Sequence, residues 1–431
     1  VRFFPDIHAL PPAEADRIVA ELLAETVSYA ASRSPFYRER LGGAARVAAL
    51  SDLAALPTTS RDDLQGRQDD FLAVPREEVA EIVSTTGTTG APVFLSMTLN
   101  DVSRLAETER RGFGWMGIGA GSRVHLAVTI DNLFVAGLAY HEGVHRVGAA
   151  AVRVGVQPGR RHLDLLRKLR PEGMVAVPSM MVALARLARE EGIDLKEIAP
   201  ESILLIGDSI RGADLGPNAT GRLIREAWGV DPFSTYGLTE AGGAFHECPA
   251  RCGLHAHPDI LLPEVVDEAG RPLPPGETGE LAITTLQVEA MPLLRYRTGD
   301  VTFLVPGDCP CGRRGLRVGP ILGRKRQRLK VKGTTIYPKA IEDALAGFDG
   351  VENFVVEARD GEDGFDRLLV RIGTGRTDAP FLDAVGELLF SRARVRPDLV
   401  VEAPDAVERM LYEGGRRKPR TFVDLRGGGG A

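Results

Sequence analysis

The 431-residue chain is poor in cysteine, lysine and tryptophan, with four, seven and two of them. It also has no apolar run long enough to span a bilayer, which argues against a membrane protein. A net charge of -6 removes the electrostatic footprint expected of a nucleic-acid binder. No signal-peptide pattern opens the sequence, and the numbering starts at Val1 without an initiator methionine, so a cytoplasmic protein is expected. The lysines are Lys168, Lys196, Lys325, Lys330, Lys332, Lys339 and Lys418. Arginine carries the remaining positive charge, which reads as coding bias rather than chemistry. The length suits two domains, or one large domain and a small one.

What the chain does have is a concentrated hydroxyl-rich loop. Ser84, Thr85, Thr86, Gly87, Thr88, Thr89 and Gly90 follow one another, with Val79–Val83 and Val93–Met97 reading as flanking strands. Glycine lets a backbone approach a ligand closely, and hydroxyl and N–H groups donate to phosphate oxygens. No Gly-Lys-Ser/Thr step follows, so this is not a Walker loop. Taken alone, a polar hairpin turn accounts for it as well.

Further along, helices alternate with apolar strands. Helical spacing covers Pro12–Ala31, Asn100–Met116, the small-residue helix Asn132–Val147, and His162–Leu169. Buried strands are expected at Arg123–Val128, Ala150–Val154, Gly173–Val177 and Ser202–Ile206. The pattern is that of an α/β layered core. Gly323-Arg324 reads as a boundary, giving domains 1–323 and 324–431. The second is a small α+β domain with a strand over Lys330–Ile336, helices over Pro338–Ala346 and Pro380–Phe390, and three more strands.

Five stretches occur in one order: Ser84–Gly90, Tyr236-Gly237-Leu238-Thr239-Glu240, Tyr296-Arg297-Thr298-Gly299-Asp300, Gly323-Arg324, and Lys418 near the end. This order resembles the adenylate-forming superfamily of acyl-CoA synthetases, adenylation domains and luciferases. Ser34-Pro35-Phe36-Tyr37, Thr285-Leu286 and Glu289-Ala290-Met291-Pro292 resemble its phenylacetate–CoA ligase branch, from about Phe36 to Asp424.

The resemblance implies a large adenylation domain with a small mobile C-terminal domain, and a role for each motif. The threonines of the loop would hold the β- and γ-phosphates of ATP. Glu240 would ligate Mg²⁺, Thr239 would bond the α-phosphate, and Tyr236, next to Gly237, would stack on adenine. Gly207-Asp208-Ser209 stands where the family has its adenine-site Gly-Gly-Glu or Gly-Ala-Glu. Asp300 would accept from the ribose hydroxyls, and Arg324 would contact ribose or phosphate. Lys418 would serve adenylation, although Arg417 replaces the family's glycine before it; the alternative reading of Arg416–Arg420 is a solvated basic run. Gly333 would face the pantetheine of coenzyme A. Phe134, Ala139 and Tyr140 are candidates for the acid pocket; an apolar helix is also what plain core looks like. The position two residues after Arg324 is Arg326, where the family often has Asp.

The four cysteines fall in two close pairs, Cys248-x3-Cys252 and Cys309-x-Cys311. A cytosolic chain rarely forms disulfides, and thiolates converging from close pairs suit tetrahedral zinc. A structural Zn²⁺ on these four is expected, with His246, His255 and His257 near enough in sequence to substitute. Four free thiols in loops is the other reading.

The resemblance therefore implies an ATP-dependent ligase that activates an aromatic or arylacetic acid as its acyl-AMP and transfers it to coenzyme A. Its partners would be small molecules, and the family suggests a homodimer. Two other readings remain open. The adenylate could pass to an amine, a carrier protein or nitrite-type chemistry, or the chain could bind nucleotide without catalysis.

Overall fold

Strands covered on both faces must be apolar at successive positions, and Ile203-Leu204-Leu205 shows what this does to a sequence. Leu204 packs on one side of the sheet with Phe113, Tyr140, Val144, Val175 and Phe233. Ile203 and Leu205 pack on the other side with Leu163, Leu166, Met174, Ala176, Met181 and Trp228. The alternation is the two-residue period of a strand, expressed here as two separate cores.

In this computed structural model the described residues are 1–4, 7–42, 47–85, 92–331, 334–361, 365–413 and 419–426. They divide into two compact units. The first comprises Val1–Gly216, Ile224–Thr298 and Thr302–Pro320; the second comprises Pro217–Leu223, Gly299–Val301 and Ile321–Ala431.

The first unit is built on an eight-stranded sheet. Five neighbours run parallel in the order Ala150–Arg153, Arg123–Leu126, Gly173–Ala176, Ser202–Leu205 and Phe233–Leu238. Gly243–Glu247, Leu254–His255 and Arg317–Val318 extend it antiparallel. A further antiparallel pair, Leu261–Val266 with Thr278–Thr285, lies outside this sheet. The helix Leu99–Trp115 starts at a capping box between Thr98 and Asp101. The Asp101 carboxylate also accepts from the backbone N–H groups of Glu289 and Ala290, at 2.8 and 2.9 Å, tying that later segment to the helix.

In the second unit, Asp398–Glu402, Asp366–Gly373, Asn353–Asp360 and Phe422–Asp424 form a four-stranded sheet. The helices Pro338–Leu345 and Ala379–Ala393 cover one face through Ile341, Leu345, Val385 and Leu389 against Phe354 and Val356. Pro404–Leu411 covers the other, with Val407 and Leu411 on Val355.

Two expectations need revision. Lys330–Ile336 is not one strand but an antiparallel pair, Leu329–Val331 with Thr334–Ile336, joined through residues outside the described ones. The helix expected from Asn132 begins at Val135. Asn132 and Leu133 sit in the left-handed region, with φ of 60° and 57°, a conformation non-glycine residues adopt at a cost. The Leu133 carbonyl accepts instead from Ser84 N–H at 2.9 Å, so the loop is held by the hydroxyl-rich hairpin rather than by its own helix.

Candidate active site

In open parallel sheets, ligands bind beyond the carboxyl ends of the strands. Gly207-Asp208-Ser209 follows Ser202–Leu205, and Tyr236 to Glu240 closes its neighbour Phe233–Leu238. Gly207 has φ of +79°, a turn conformation that suits glycine. The Asp208 carboxylate accepts from Ser209 N–H at 2.8 Å, and the Ser209 hydroxyl donates to Arg211 O at 3.1 Å. Tyr236 lies half-buried against Phe245, with ring centroids 6.1 Å apart and planes 23° apart. Its Gly237 neighbour pairs with Ala244, whose Cβ would lie 3.1 Å from any added Cβ.

The strand ends in a short 3₁₀ turn, Thr239–Ala241, which aims Glu240. Arg104, fully buried, fixes that turn by donating to the carbonyls of Ala241, Gly242, Ile260 and Leu286. Burial lowers its pKa to about 10, so it stays charged at neutral pH. Glu240 Oε1 accepts from the Tyr296 hydroxyl at 3.0 Å and faces Arg61 Nη1 at 3.6 Å. The same guanidinium donates through Nη2 to Thr85 Oγ1 at 3.2 Å. Thr85 is itself buried, and its hydroxyl accepts from Val93 N–H at 3.0 Å, closing the hairpin that carries the loop. Ser84 Oγ donates to Thr85 O at 3.0 Å. Arg61 was not singled out from the sequence; it opens a helix capped by Ser60, and its partners are distant in the chain.

Of the acid-pocket candidates, Phe134 immediately precedes the helix Val135–Arg146 and is half-buried, while Ala139 and Tyr140 are buried. Burial, then the Glu109 charge, raises the Tyr140 pKa well above its ordinary value. This helix approaches its neighbours closely because of its small residues. A Cβ on Gly137 would sit 1.9 Å from Thr129 O, and one on Gly143 would sit 2.3 Å from Glu109 Cβ. Glu109 in turn pairs with His246 at 3.0 Å, and His246 lies 3.2 Å from His257, a buried polar chain the sequence did not disclose.

In the second unit, Asp300 and Arg324 are direct partners across two antiparallel strands. Arg324 Nε lies 3.4 Å from Asp300 Oδ1, so two separately recognised motif residues form one ion pair. Thr86, Gly87, Thr88, Thr89, Gly90, Gly333 and Lys418 lie outside the described residues.

The cysteines converge, with one exchange. One ligand atom from each of Cys248, His255, Cys309 and Cys311 lies within 4.8 Å of the others. Cys248 Sγ and Cys309 Sγ are 3.6 Å apart, and Cys311 Sγ is 3.5 Å from His255 Nε2. A tetrahedral zinc with Zn–S near 2.3 Å and Zn–N near 2.05 Å sets S···S at about 3.8 Å and S···N at about 3.5 Å. The donor set and its spacing therefore fit a closed Cys₃His site. Cys252 stands apart from the four, its thiol donating to Ala250 O at 3.1 Å. The exchange follows from sheet pairing. Arg317 lies opposite His255 on the next strand and donates to the carbonyls of Cys252, Pro306 and Gly307, holding both cysteine loops.

Comparison with known proteins gives the family and the fold. Residues 9–290 match the family of AMP-binding enzymes. A phenylacetate-coenzyme A ligase of Thermus thermophilus is 36% identical over 410 residues, spanning 93% of this chain and 88% of that protein. One from Pseudomonas putida is 32% identical over 334 residues, spanning 75% and 74%. A crystal structure of 2-hydroxyisobutyryl-CoA ligase in its postadenylation state, in complex with R3-HIB-AMP, superposes with a TM-score of 0.84 at 25% identity. That match covers 98% of this chain and 92% of that one. With a family match over most of its length and relatives above 30% identity, the chain belongs to the AMP-binding enzyme family.

Proposed function

We propose that this protein is an ATP-dependent acid–thiol ligase that activates an aromatic or arylacetic acid and transfers it to coenzyme A. The observation that supports it most is the arrangement at Glu240, a buried carboxylate held by Tyr296 and Arg61 beside the hydroxyl-rich hairpin. The likeness to phenylacetate-coenzyme A ligases supplies the acid class.

The chemistry takes two displacements. A carboxylate oxygen attacks the α-phosphorus, and the bond to the β-phosphate oxygen breaks, releasing pyrophosphate. The thiolate then attacks the acyl carbon, and AMP leaves. In the first step two anions must meet, so the chain's task is to hold and neutralise them. The loop hydroxyls and Arg61 receive the β- and γ-phosphates, Thr239 the α-phosphate, Tyr236 the adenine, and Asp300 the ribose. Gly207, Asp208 and Ser209 border the adenine. Glu240 is the residue to hold Mg²⁺, which when bound offsets charge on the departing pyrophosphate. Phe134, Ala139 and Tyr140 shape the acid pocket, and Gly333 serves the thiol half-reaction.

Lys418 acts in adenylation alone, its ammonium neutralising carboxylate and α-phosphate as the bond forms. Cys248, His255, Cys309 and Cys311 hold a structural zinc; with four protein ligands the site leaves no position for catalysis.

The test is ATP–pyrophosphate exchange across a panel of aryl and aliphatic acids. Exchange that depends on an aryl acid is expected, and Lys418→Ala should lower it by about 10²–10³, the usual cost of one such transition-state donor. The same variant should still form thioester from a supplied acyl-adenylate. Equal loss in both assays would place Lys418 in folding rather than chemistry, and exchange with no acid in the panel would refute the reading.

A further inference from the structure

The helix Val135–Arg146, which bears the acid-pocket candidates Ala139 and Tyr140 among its buried residues, also carries the sequence His141-Glu142-Gly143-Val144-His145. Residues four apart on a helix lie one turn apart on the same face. The pattern His-Glu-x-x-His is the spacing at which a helix offers two imidazoles to one zinc ion.

The folded helix brings these three side chains together. The His141 and His145 rings have centroids 4.3 Å apart. Glu142 Oε1 lies 3.1 Å from His141 Nδ1. One ligand atom from each of the three residues lies within 4.8 Å of the other two. The opposite face of the helix is anchored, with Val135, Ala139, Tyr140 and Val144 all buried, so the backbone bearing the three groups is fixed. His145 is exposed and His141 and Glu142 are partly exposed, so an ion reaches them from solvent.

Two imidazoles and one carboxylate are ligands for a borderline transition ion rather than for Ca²⁺ or Mg²⁺, which prefer all-oxygen shells. Bonds of about 2.0–2.1 Å require ligand atoms roughly 3.3–3.5 Å apart around a tetrahedral ion. The three ligand atoms lie within 4.8 Å of one another, so binding calls for side-chain rotation, for which exposed His145 has room. Among the described residues no further His, Cys, Asp or Glu joins the group, so water fills the remaining positions.

We propose that His141, Glu142 and His145 form a second divalent-metal site, open and exchangeable, that takes Zn²⁺, Co²⁺ or Ni²⁺. It differs in kind from the closed thiolate site, and its ligands give a different spectrum.

The test is titration of the full-length protein with Co²⁺, without ATP, after a brief chelator wash that leaves tightly held metal in place. The expected result is one added equivalent with weak visible bands and no thiolate-to-cobalt charge transfer, displaced by Zn²⁺. His145→Ala and His141→Ala should each abolish it, with far-ultraviolet circular dichroism confirming an intact fold. Glu142→Gln should weaken it by about tenfold, in the range of lost carboxylate support. No added equivalent in the wild type, an equivalent bearing thiolate charge transfer, or one that persists in both histidine variants would overturn the proposal.

Discussion

Arg61 Nη1 stands 3.6 Å from Glu240 Oε1, and Nη2 of the same guanidinium reaches Thr85 Oγ1 at 3.2 Å. One cation therefore links the end of a central parallel strand to the base of the hydroxyl-rich loop. Both side chains are largely buried, so the pair is less screened than a surface ion pair. Arg61→Met should lower kcat/KM for ATP roughly 10- to 100-fold, as loss of a charge-assisted hydrogen bond worth about 1.5–3 kcal/mol implies. Steady-state kinetics at varied ATP checks this, and an unchanged kcat/KM would remove Arg61 from the site.

Glu240→Gln keeps the shape and the contact with Tyr296 but removes the charge. The Mg²⁺ concentration for half-maximal activity should rise, while the melting temperature stays near that of the wild type. A variant with an unaltered Mg²⁺ response would place the metal elsewhere.

Asp300 is expected to serve ribose rather than fold. Its ion pair with half-exposed Arg324 is of the kind that contributes little to stability. Asp300→Ala should raise KM for ATP more than it lowers the melting temperature. Wild-type ATP kinetics in a folded Asp300→Ala protein would contradict the assignment.

The metal cluster makes a ligand-by-ligand prediction. Purified protein should hold about one tightly bound zinc per chain, as a four-ligand site implies. Cys309→Ser and His255→Ala should lose zinc and melt at lower temperature, whereas Cys252→Ser should retain both zinc and stability. Elemental analysis decides it. Zinc loss in Cys252→Ser with retention in His255→Ala would reverse the ligand assignment.

Acid should destabilise the fold through a buried histidine pair. His125 Nε2 lies 2.9 Å from His162 Nδ1, and both side chains are buried. Burial, then the neighbouring His162, lowers the His125 pKa from 6.5 to about 3; burial lowers His162 as well. Between those values the unfolded chain binds more protons than the native one, so stability rises with pH. Their contribution is full above about pH 6.5 and is lost progressively as pH falls toward 3. Melting temperature measured from pH 8 to pH 5 should decline below about 6.5, and His125→Gln should flatten that decline. An identical slope in the variant would contradict the account.

Much of the layered architecture was legible because strands buried on both faces leave apolar runs such as Ile203-Leu204-Leu205. Motif order likewise marked Tyr236–Glu240, Asp300 and Arg324 as separate stretches, but not the pairing of Asp300 with Arg324. What the sequence did not carry depends on distant pairing. The sequence offered His255 only as one of three substitute ligands; that it joins the cluster reflects its pairing with the strand at Arg317, and Arg61 meets Glu240 from a helix start far upstream. Asn132 and Leu133 fit an apolar helical pattern, yet their left-handed backbone follows from a hydrogen bond to Ser84 that periodicity does not report. Leu329–Val331 and Thr334–Ile336 read as one strand in the sequence, because nothing in its periodicity reports that the two segments pair with each other.

The most direct test of the central claim is to identify every product of one reaction by mass spectrometry. Protein, Mg²⁺-ATP and an aryl acid such as phenylacetate are incubated with and without coenzyme A. Acyl-AMP and pyrophosphate are expected without coenzyme A, and acyl-CoA, AMP and pyrophosphate with it. Formation of ADP and phosphate, or ATP consumption that does not depend on the acid, would contradict it.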